Sequence, residues 1–207
     1  MKIILIGPPG SGKGSQAKKI ERKYNIPHIS TGNIFRALMQ EDTPLGRKVN
    51  EYMSKAMLVP DEVVMQVVGE YLNKEGRKEN FLFDGFPRTK YQAEELDKIT
   101  KIDVAILLDT TLDTVSERIL TRRICTCGEV YNTKTYKSDI CAVCGKSLQP
   151  RKDDNEKTIK ERFYEYETQT LPVVEYYLKQ GKLKVLDGHK SIETIFNEIK
   201  DILKSIV

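Results

Sequence analysis

Lys2-Ile3-Ile4-Leu5-Ile6 runs without a break into Gly7-Pro8-Pro9-Gly10-Ser11-Gly12-Lys13-Gly14-Ser15. A short apolar run leading into GxxxxGK reads as a buried strand that delivers a phosphate-binding loop. Glycines permit backbone conformations that a Cβ forbids. Backbone N–H groups can then converge on phosphate oxygens, and a following helix turns its positive end toward them. Gln16-Ala17-Lys18-Lys19-Ile20 can start that helix. Gly10, Ser11, Gly12, Lys13, Gly14 and Ser15 are therefore the candidate phosphate cradle, with Lys13 as its point charge. In one place the loop departs from the general form: Gly14 follows Lys13, and the hydroxyl arrives one residue later, at Ser15.

Outward from the loop, 207 residues suit one core domain with insertions or two small domains. Apolar content of 39% and charged content of 31% fit a soluble globular chain. The net charge of +4 is mild and does not require nucleic acid; a basic cleft for small anions explains it equally well. No run is long enough to cross a bilayer, and no leader pattern precedes the first strand. The expectation is a cytoplasmic protein without a membrane partner. All four cysteines fall within residues 125–144, which argues against a disulfide-dense secreted chain.

Strands are expected at 3–6, 81–84, 104–109 and 183–186, the first and last read as near-continuous apolar runs of parallel strands covered on both faces. A weaker strand is expected at 28–30. Helices are expected at 16–24, 61–73, 111–122, 156–178 and 191–206. Pro60-Asp61-Glu62 marks the start of the second, and Thr111 can cap the third. Pro172 predicts a kink or break in the fourth, and the fifth spaces Ile192, Ile195, Phe196, Ile199, Ile202 and Leu203 on one face. The alternation implies an α/β fold: a three-layer α/β/α core around a parallel sheet. Residues 30–59 and 122–153 do not fit it and read as insertions, leaving 1–29, 60–121 and 154–207 as core.

Ser30-Thr31-Gly32-Asn33-Ile34-Phe35-Arg36 places a hydroxyl and an arginine at one end of a helix. Phe81-Leu82-Phe83-Asp84-Gly85-Phe86-Pro87-Arg88-Thr89 ends an apolar strand in an acid, a tight turn and an arginine. An acid there can hold Mg²⁺ through water, and open α/β sheets gather ligands at that edge. Arginine grips phosphate bidentately. Arg118 and Arg122, four apart, are expected on one helix face, with Arg123, Arg151 and Arg162 nearby in sequence. A polyanion would relieve that crowding; a solvated basic face is the plainer alternative.

Six spaced blocks then carry a resemblance: GPPGSGKGSQ at 7–16, STGNIFR at 30–36, LVPDE at 58–62, FDGFPRTKYQA at 83–93, RR at 122–123 and RKDDN at 151–155. Together they resemble the long-lid adenylate kinases over nearly the whole chain. The resemblance implies reversible transfer of a phosphoryl group from Mg·ATP to AMP, giving two ADP. It implies a helical AMP-binding insertion at 30–59, a lid at 122–153, and a monomer with ATP, AMP and ADP as partners. On the ATP side it implies the loop, Arg118, Arg122, Val130, Tyr131 and Lys190. On the AMP side it implies Thr31, Gly32, Arg36, Met57, Leu58, Val59, Gly85, Phe86, Pro87, Arg88 and Gln92, with Gln92 reading the adenine edge. Arg151 and Arg162 would converge on the transferred group. Lys13, Asp84, Arg88, Arg122, Arg151 and Arg162 form the implied catalytic set. Where the family has Asp, this chain has Asn33, which cannot add negative charge near the metal.

Cys125 and Cys127 are separated from Cys141 and Cys144 by thirteen residues. Two such pairs can make a tetrahedral Cys₄ zinc site. The second, CxxCG, is a zinc-knuckle signal; the first is CxC, shorter than the CxxC of zinc-bearing lids in this family. Three cysteines plus another group, or a redox disulfide, are the rival readings. Zinc with four thiolates would be structural, because no coordination position is left for substrate.

A kinase for UMP or CMP is the nearest rival function; Gln92, Thr31 and the long lid speak against it. A nucleic-acid NTPase with a zinc ribbon would need a basic, aromatic-rich knuckle. Residues 125–144 hold two lysines, two tyrosines, a glutamate and an aspartate, which is too little. His28 and His189 show no partner pattern and are expected to be unremarkable.

Overall fold

In chain order the elements are β1 (Lys2–Ile6), α1 (Lys13–Tyr24), β2 (His28–Ser30), α2 (Thr31–Leu38), α3 (Pro44–Ser54), α4 (Asp61–Leu72), β3 (Phe81–Asp84), α5 (Lys90–Ile99), β4 (Val104–Asp109), α6 (Leu112–Leu120), β5 (Arg122–Ile124), β6 (Val130–Asn132), α7 (Glu156–Glu165), a π-helical turn (Tyr166–Thr170), α8 (Leu171–Lys179), β7 (Leu183–Asp187) and α9 (Ile192–Lys204). They come from a computed structural model that describes residues 1–55, 57–73, 79–151 and 153–206. Lys152, inside the quoted RKDDN block, and Ala56, inside the first insertion, lie outside the described residues.

Five strands pair in the order β2-β3-β1-β4-β7, every neighbour parallel. The central strand is the apolar run of β1, and Ile3, Ile4, Leu5 and Ile6 are buried. Because side chains alternate along a strand, the run serves two faces. Ile4 and Ile6 join Phe81, Phe83, Ala105 and Leu107 beneath Val64, Val68, Leu96, Val173 and Tyr177 of α4, α5 and α8. Ile3 and Leu5 join Leu82, Val104, Ile106 and Leu108 beneath Ala17, Ile20, Ile195, Ile199 and Leu203 of α1 and α9. The core is the expected three layers. The order turns at β1, so the carboxyl ends of β1 and β3 open at a switch point, where α/β sheets bind ligands.

Three helix expectations need correction. The helix expected at 111–122 ends at Leu120. Thr121 takes the cap and Arg122 enters a strand, so Arg118 and Arg122 do not share a helix face. The segment expected as one long helix with a kink or break at Pro172 does break, but earlier than expected: two helices are joined by the π-helical turn that ends at Thr170. Pro172 has no N–H to return to the preceding turn, and the register widens before it. Ile192, expected on the apolar face of α9, begins that helix and is exposed.

The segment holding α2 and α3 adds no strand to the sheet beyond β2. The cysteine segment grows from a separate antiparallel pair, β5 with β6, extended by bridges between Ile124 and Gln149 and between Ile140 and Ser147. Its first turn reaches α1: Glu129 pairs with Lys18 at 3.2 Å and Arg22 at 2.9 Å, and Lys18 also donates to the Gly128 carbonyl. Among the described residues, no helix is long and apolar enough to cross a membrane.

Candidate active site

Between β1 and α1 the loop turns on glycines. A Cβ on Gly10, at φ +80°, would lie 2.8 Å from Ile119 Cγ1. Gly12, at φ +100°, stands at the N-cap of α1 with nothing within 4 Å of where a Cβ would be. The first turn of α1 has no side-chain cap and no acid. Ser15 N already donates to the Gly12 carbonyl at 3.0 Å, and the helix dipole favours an anion at the end before it. Lys13 folds back over the loop, donating to the Gly7 carbonyl at 2.7 Å and the Pro8 carbonyl at 2.9 Å. Burial pushes its ammonium pKa down to about 8; Asp84 opposes this, while Arg88 and Arg122 add to it.

Asp84 ends β3, opposite Leu5 of β1 and Ser30 of β2. Burial alone would raise its pKa. Contact with His28, the charge of Lys13 and the charge of Arg88 outweigh that, and the carboxyl is held below its ordinary range. His28, expected to be unremarkable, is half-buried against it, with Nε2 3.5 Å from Asp84 Oδ2. His189 likewise has a partner, its Nδ1 lying 2.8 Å from Asp187 Oδ1. The first pairing has no local sequence signal, because it depends on β2 and β3 meeting at the sheet edge; the second is local, two residues apart, and His189 N also donates to Asp187 Oδ1 at 2.9 Å.

Across the edge from the loop, Thr31 is buried and its hydroxyl donates to the Gly85 carbonyl at 2.8 Å. Arg88 Nε donates to the same carbonyl at 2.8 Å. Gly85 sits at φ +79°, and a Cβ there would meet Arg88 Nη2 at 3.0 Å; Phe86–Pro87 is a cis peptide. Arg36 lies over Gly32 and donates to Asn33 Oδ1 at 2.6 Å. Gln92 is buried within the first turn of α5, bonded to Arg88 N and to Asp61. Leu58 and Val59 lead into α4, Val59 buried and Met57 half exposed.

Five arginines from distant parts of the chain share one electrostatic field. Burial lowers Arg36 to about 10, helped by Arg151, Arg162 and Arg88 and opposed by Asp153. Burial likewise lowers Arg88, with Arg162 and Arg151 adding to it, and Arg151, with Arg122 and Arg162 adding to it. Two acids hold the arrangement together. Asp154 takes both Arg122 Nε, at 2.8 Å, and Arg122 Nη2. Asp153 takes Arg151 Nε at 2.9 Å and Arg162 Nη2 at 2.6 Å. Burial raises the Asp153 pKa, but the two arginines prevail and bring it to about 2. This is a charge distribution that a polyphosphate completes.

The other expected positions have neighbours of their own. Arg118, in the last turn of α6, stands beside Glu117. Lys190 is paired with Glu198 at 2.6 Å. Val130 is exposed, and Tyr131 turns into the knuckle, its ring 4.5 Å from Tyr136 and its hydroxyl 3.3 Å from Cys141 Sγ.

The four cysteine sulfurs lie within 4.8 Å of one another, with Cys125 Sγ 3.4 Å from Cys144 Sγ and Cys127 Sγ 3.6 Å from Cys141 Sγ. Disulfides require about 2.0 Å, and all four thiols are free. Tetrahedral zinc at about 2.3 Å from each sulfur separates sulfurs by about 3.8 Å. The CxC pair therefore fits the same centre as the CxxC pair, and the cluster is compatible with zinc.

Residues 5–182 match the protein-family model described as Adenylate kinase. The chain is 46% identical to the adenylate kinase of Clostridium acetobutylicum and 46% identical to that of Clostridium tetani, in each case over the whole of both chains. It is 47% identical to that of Clostridium novyi over 97% of each. Its phosphate loop, its arginine cluster and this likeness along its length lead to one conclusion: the chain belongs to the adenylate kinase family of phosphotransferases.

Proposed function

We propose that the chain transfers the terminal phosphoryl group of Mg·ATP to AMP, reversibly, giving two ADP. The observation that carries this reading is the cluster of arginines beyond the loop. A simple NTPase needs the loop and one metal-side acid; it has no use for Arg36, Arg88, Arg151 and Arg162 in one field opposite the loop. In this reading Gly10–Ser15 cradle the ATP phosphates, with Arg118, Arg122, Val130, Tyr131 and Lys190 on the ATP side. Thr31, Gly32, Arg36, the segment 57–59, Gly85–Arg88 and Gln92 hold AMP. Lys13, Arg88, Arg122, Arg151 and Arg162 stabilise charge on the group in flight, where alignment and electrostatics supply most of the acceleration.

Asp84 would hold the magnesium through water, and that ion would neutralise phosphate charge. Cys125, Cys127, Cys141 and Cys144 would hold zinc as a structural ion. Residues 30–59 and 122–153 act as two covers over a core of 1–29, 60–121 and 154–207, keeping water from the phosphoryl group. We place the enzyme in the cytoplasm, as a monomer.

A coupled assay of ADP formation from ATP and AMP tests the reaction, and a panel of other monophosphates, UMP and CMP included, tests the acceptor. Arg88→Ala is expected to lower turnover at least a hundredfold while circular dichroism stays unchanged. Near-normal turnover in that variant overturns the assignment of Arg88.

A further inference from the structure

Gln92 is 2% exposed and both ends of its amide are already engaged. Oε1 accepts from Arg88 N at 2.7 Å, and Nε2 donates to Asp61 Oδ1 at 2.7 Å. These partners cannot exchange roles. A backbone N–H only donates, and a carboxylate only accepts. Turning the amide over would set its NH₂ against the Arg88 N–H and its oxygen against Asp61, leaving two buried bonds unmade. Asp61 is itself fixed, because its other oxygen accepts from Thr89 Oγ1 at 2.9 Å. Thr89 Oγ1 in turn accepts from Gln92 N at 3.2 Å, as the cap of α5. Asp61, Thr89 and Gln92 thus form a closed ring of bonds, joining the first residue of α4 to the first turn of α5.

After both pins are satisfied, Gln92 keeps one N–H and one oxygen lone pair, in fixed places. That fixity matters to a purine edge. A 6-aminopurine offers an acceptor at N1 and a donor at its amino group, so it wants an amide N–H opposite N1 and an amide oxygen opposite the 6-position. A 6-oxopurine offers a donor at N1 and an acceptor at O6, and wants the reverse. A glutamine free to turn over serves both; a pinned one serves one and leaves the other unpaired, which is where strong discrimination arises.

We propose that Asp61 is a specificity-determining residue: by fixing the orientation of the Gln92 amide, it makes the acceptor site select a 6-amino over a 6-oxo purine monophosphate. The proposal rests on the reading of Gln92 as the residue that faces the acceptor base. Asp61 acts through Gln92 and is a positioning residue.

The test compares kcat/KM for AMP and for IMP, which lacks the 2-amino group of GMP and so isolates the 6-position. Asp61→Asn replaces an acceptor-only pin with a group that donates or accepts. It is expected to lower the AMP-to-IMP ratio at least tenfold with the KM for ATP unchanged. Gln92→Leu is expected to abolish the preference. If Gln92→Leu leaves the ratio intact, the base is not read by Gln92 and that part of the acceptor reading fails. If Gln92→Leu collapses the ratio while Asp61→Asn keeps it, or lowers both substrates equally, Asp61 is merely structural and the proposal fails alone. Should Asp61→Asn not fold, Asp61→Ser, whose hydroxyl also donates or accepts, gives the same readout.

Discussion

Asn33 shows how a single amide can retune a charged site. Its Oδ1 accepts from Arg36 Nη2 at 2.6 Å, where the family pattern puts an acid. Arg36 is a guanidinium pressed by burial and by Arg151, Arg162 and Arg88, with Asp153 opposing them. An amide satisfies the hydrogen bond but leaves that repulsion standing until phosphate arrives. Asn33→Asp turns a neutral acceptor into a charged one, and charge-assisted bonds are stronger. Because Asn33 is exposed, screening reduces the gain to about 0.5 kcal/mol. Thermal unfolding without substrate should therefore rise by about 1–2 °C. A lower melting temperature would mean that the cluster is not strained by its excess of positive charge.

Among elements, those legible from sequence were the ones whose residues decide alone. The run at 3–6 is apolar at every position because both faces of β1 are covered, and the cap at Thr111 is a local bond to Thr114 N. The π-helical turn was not legible. Pro172 announces a break, but where the register widens depends on what the turn must reach. It reaches Arg88: Thr170, buried, donates its hydroxyl to the Arg88 carbonyl at 3.0 Å. Gln92 holds the N–H of the same residue, so the Arg88 peptide groups are gripped on both sides. The turn also follows α7, which carries Arg162, so one distortion ties two arginines of the site to each other. Removing a buried hydroxyl bond costs about 1 kcal/mol. Thr170→Val should thus raise the KM for AMP about fivefold and leave the KM for ATP unchanged, while Thr170→Ser should behave as wild type. Equal changes in both constants would reduce the turn to a packing feature.

At the scale of the whole molecule, the two insertions differ in what can hold them together. The segment of α2 and α3 shares the apolar core through Phe35 and Val49. Among the described residues, the cysteine segment buries only Cys125, Cys141 and Leu148 as a cluster of its own, flanked by Tyr131 and Tyr136. So small a core cannot fold by hydrophobic burial alone, whereas a Cys₄ zinc site contributes on the order of 10 kcal/mol. The metal's influence should reach past the knuckle, because the turn between Cys127 and Glu129 carries the tie to Lys18 and Arg22 on α1, the helix that begins with Lys13. The central strands of the five-stranded sheet, β1, β3 and β4, are buried against α1, α4, α5, α8 and α9 rather than against that segment. Chelating the metal should therefore melt the knuckle and spare the sheet. Amides of residues 122–150 should lose protection from hydrogen exchange while β1, β3 and β4 keep theirs, and calorimetry should show a lower melting temperature than for the zinc-loaded protein. Superimposable melting curves with and without zinc would remove its structural role, and loss of protection in β1 would mean that knuckle and sheet unfold as one unit.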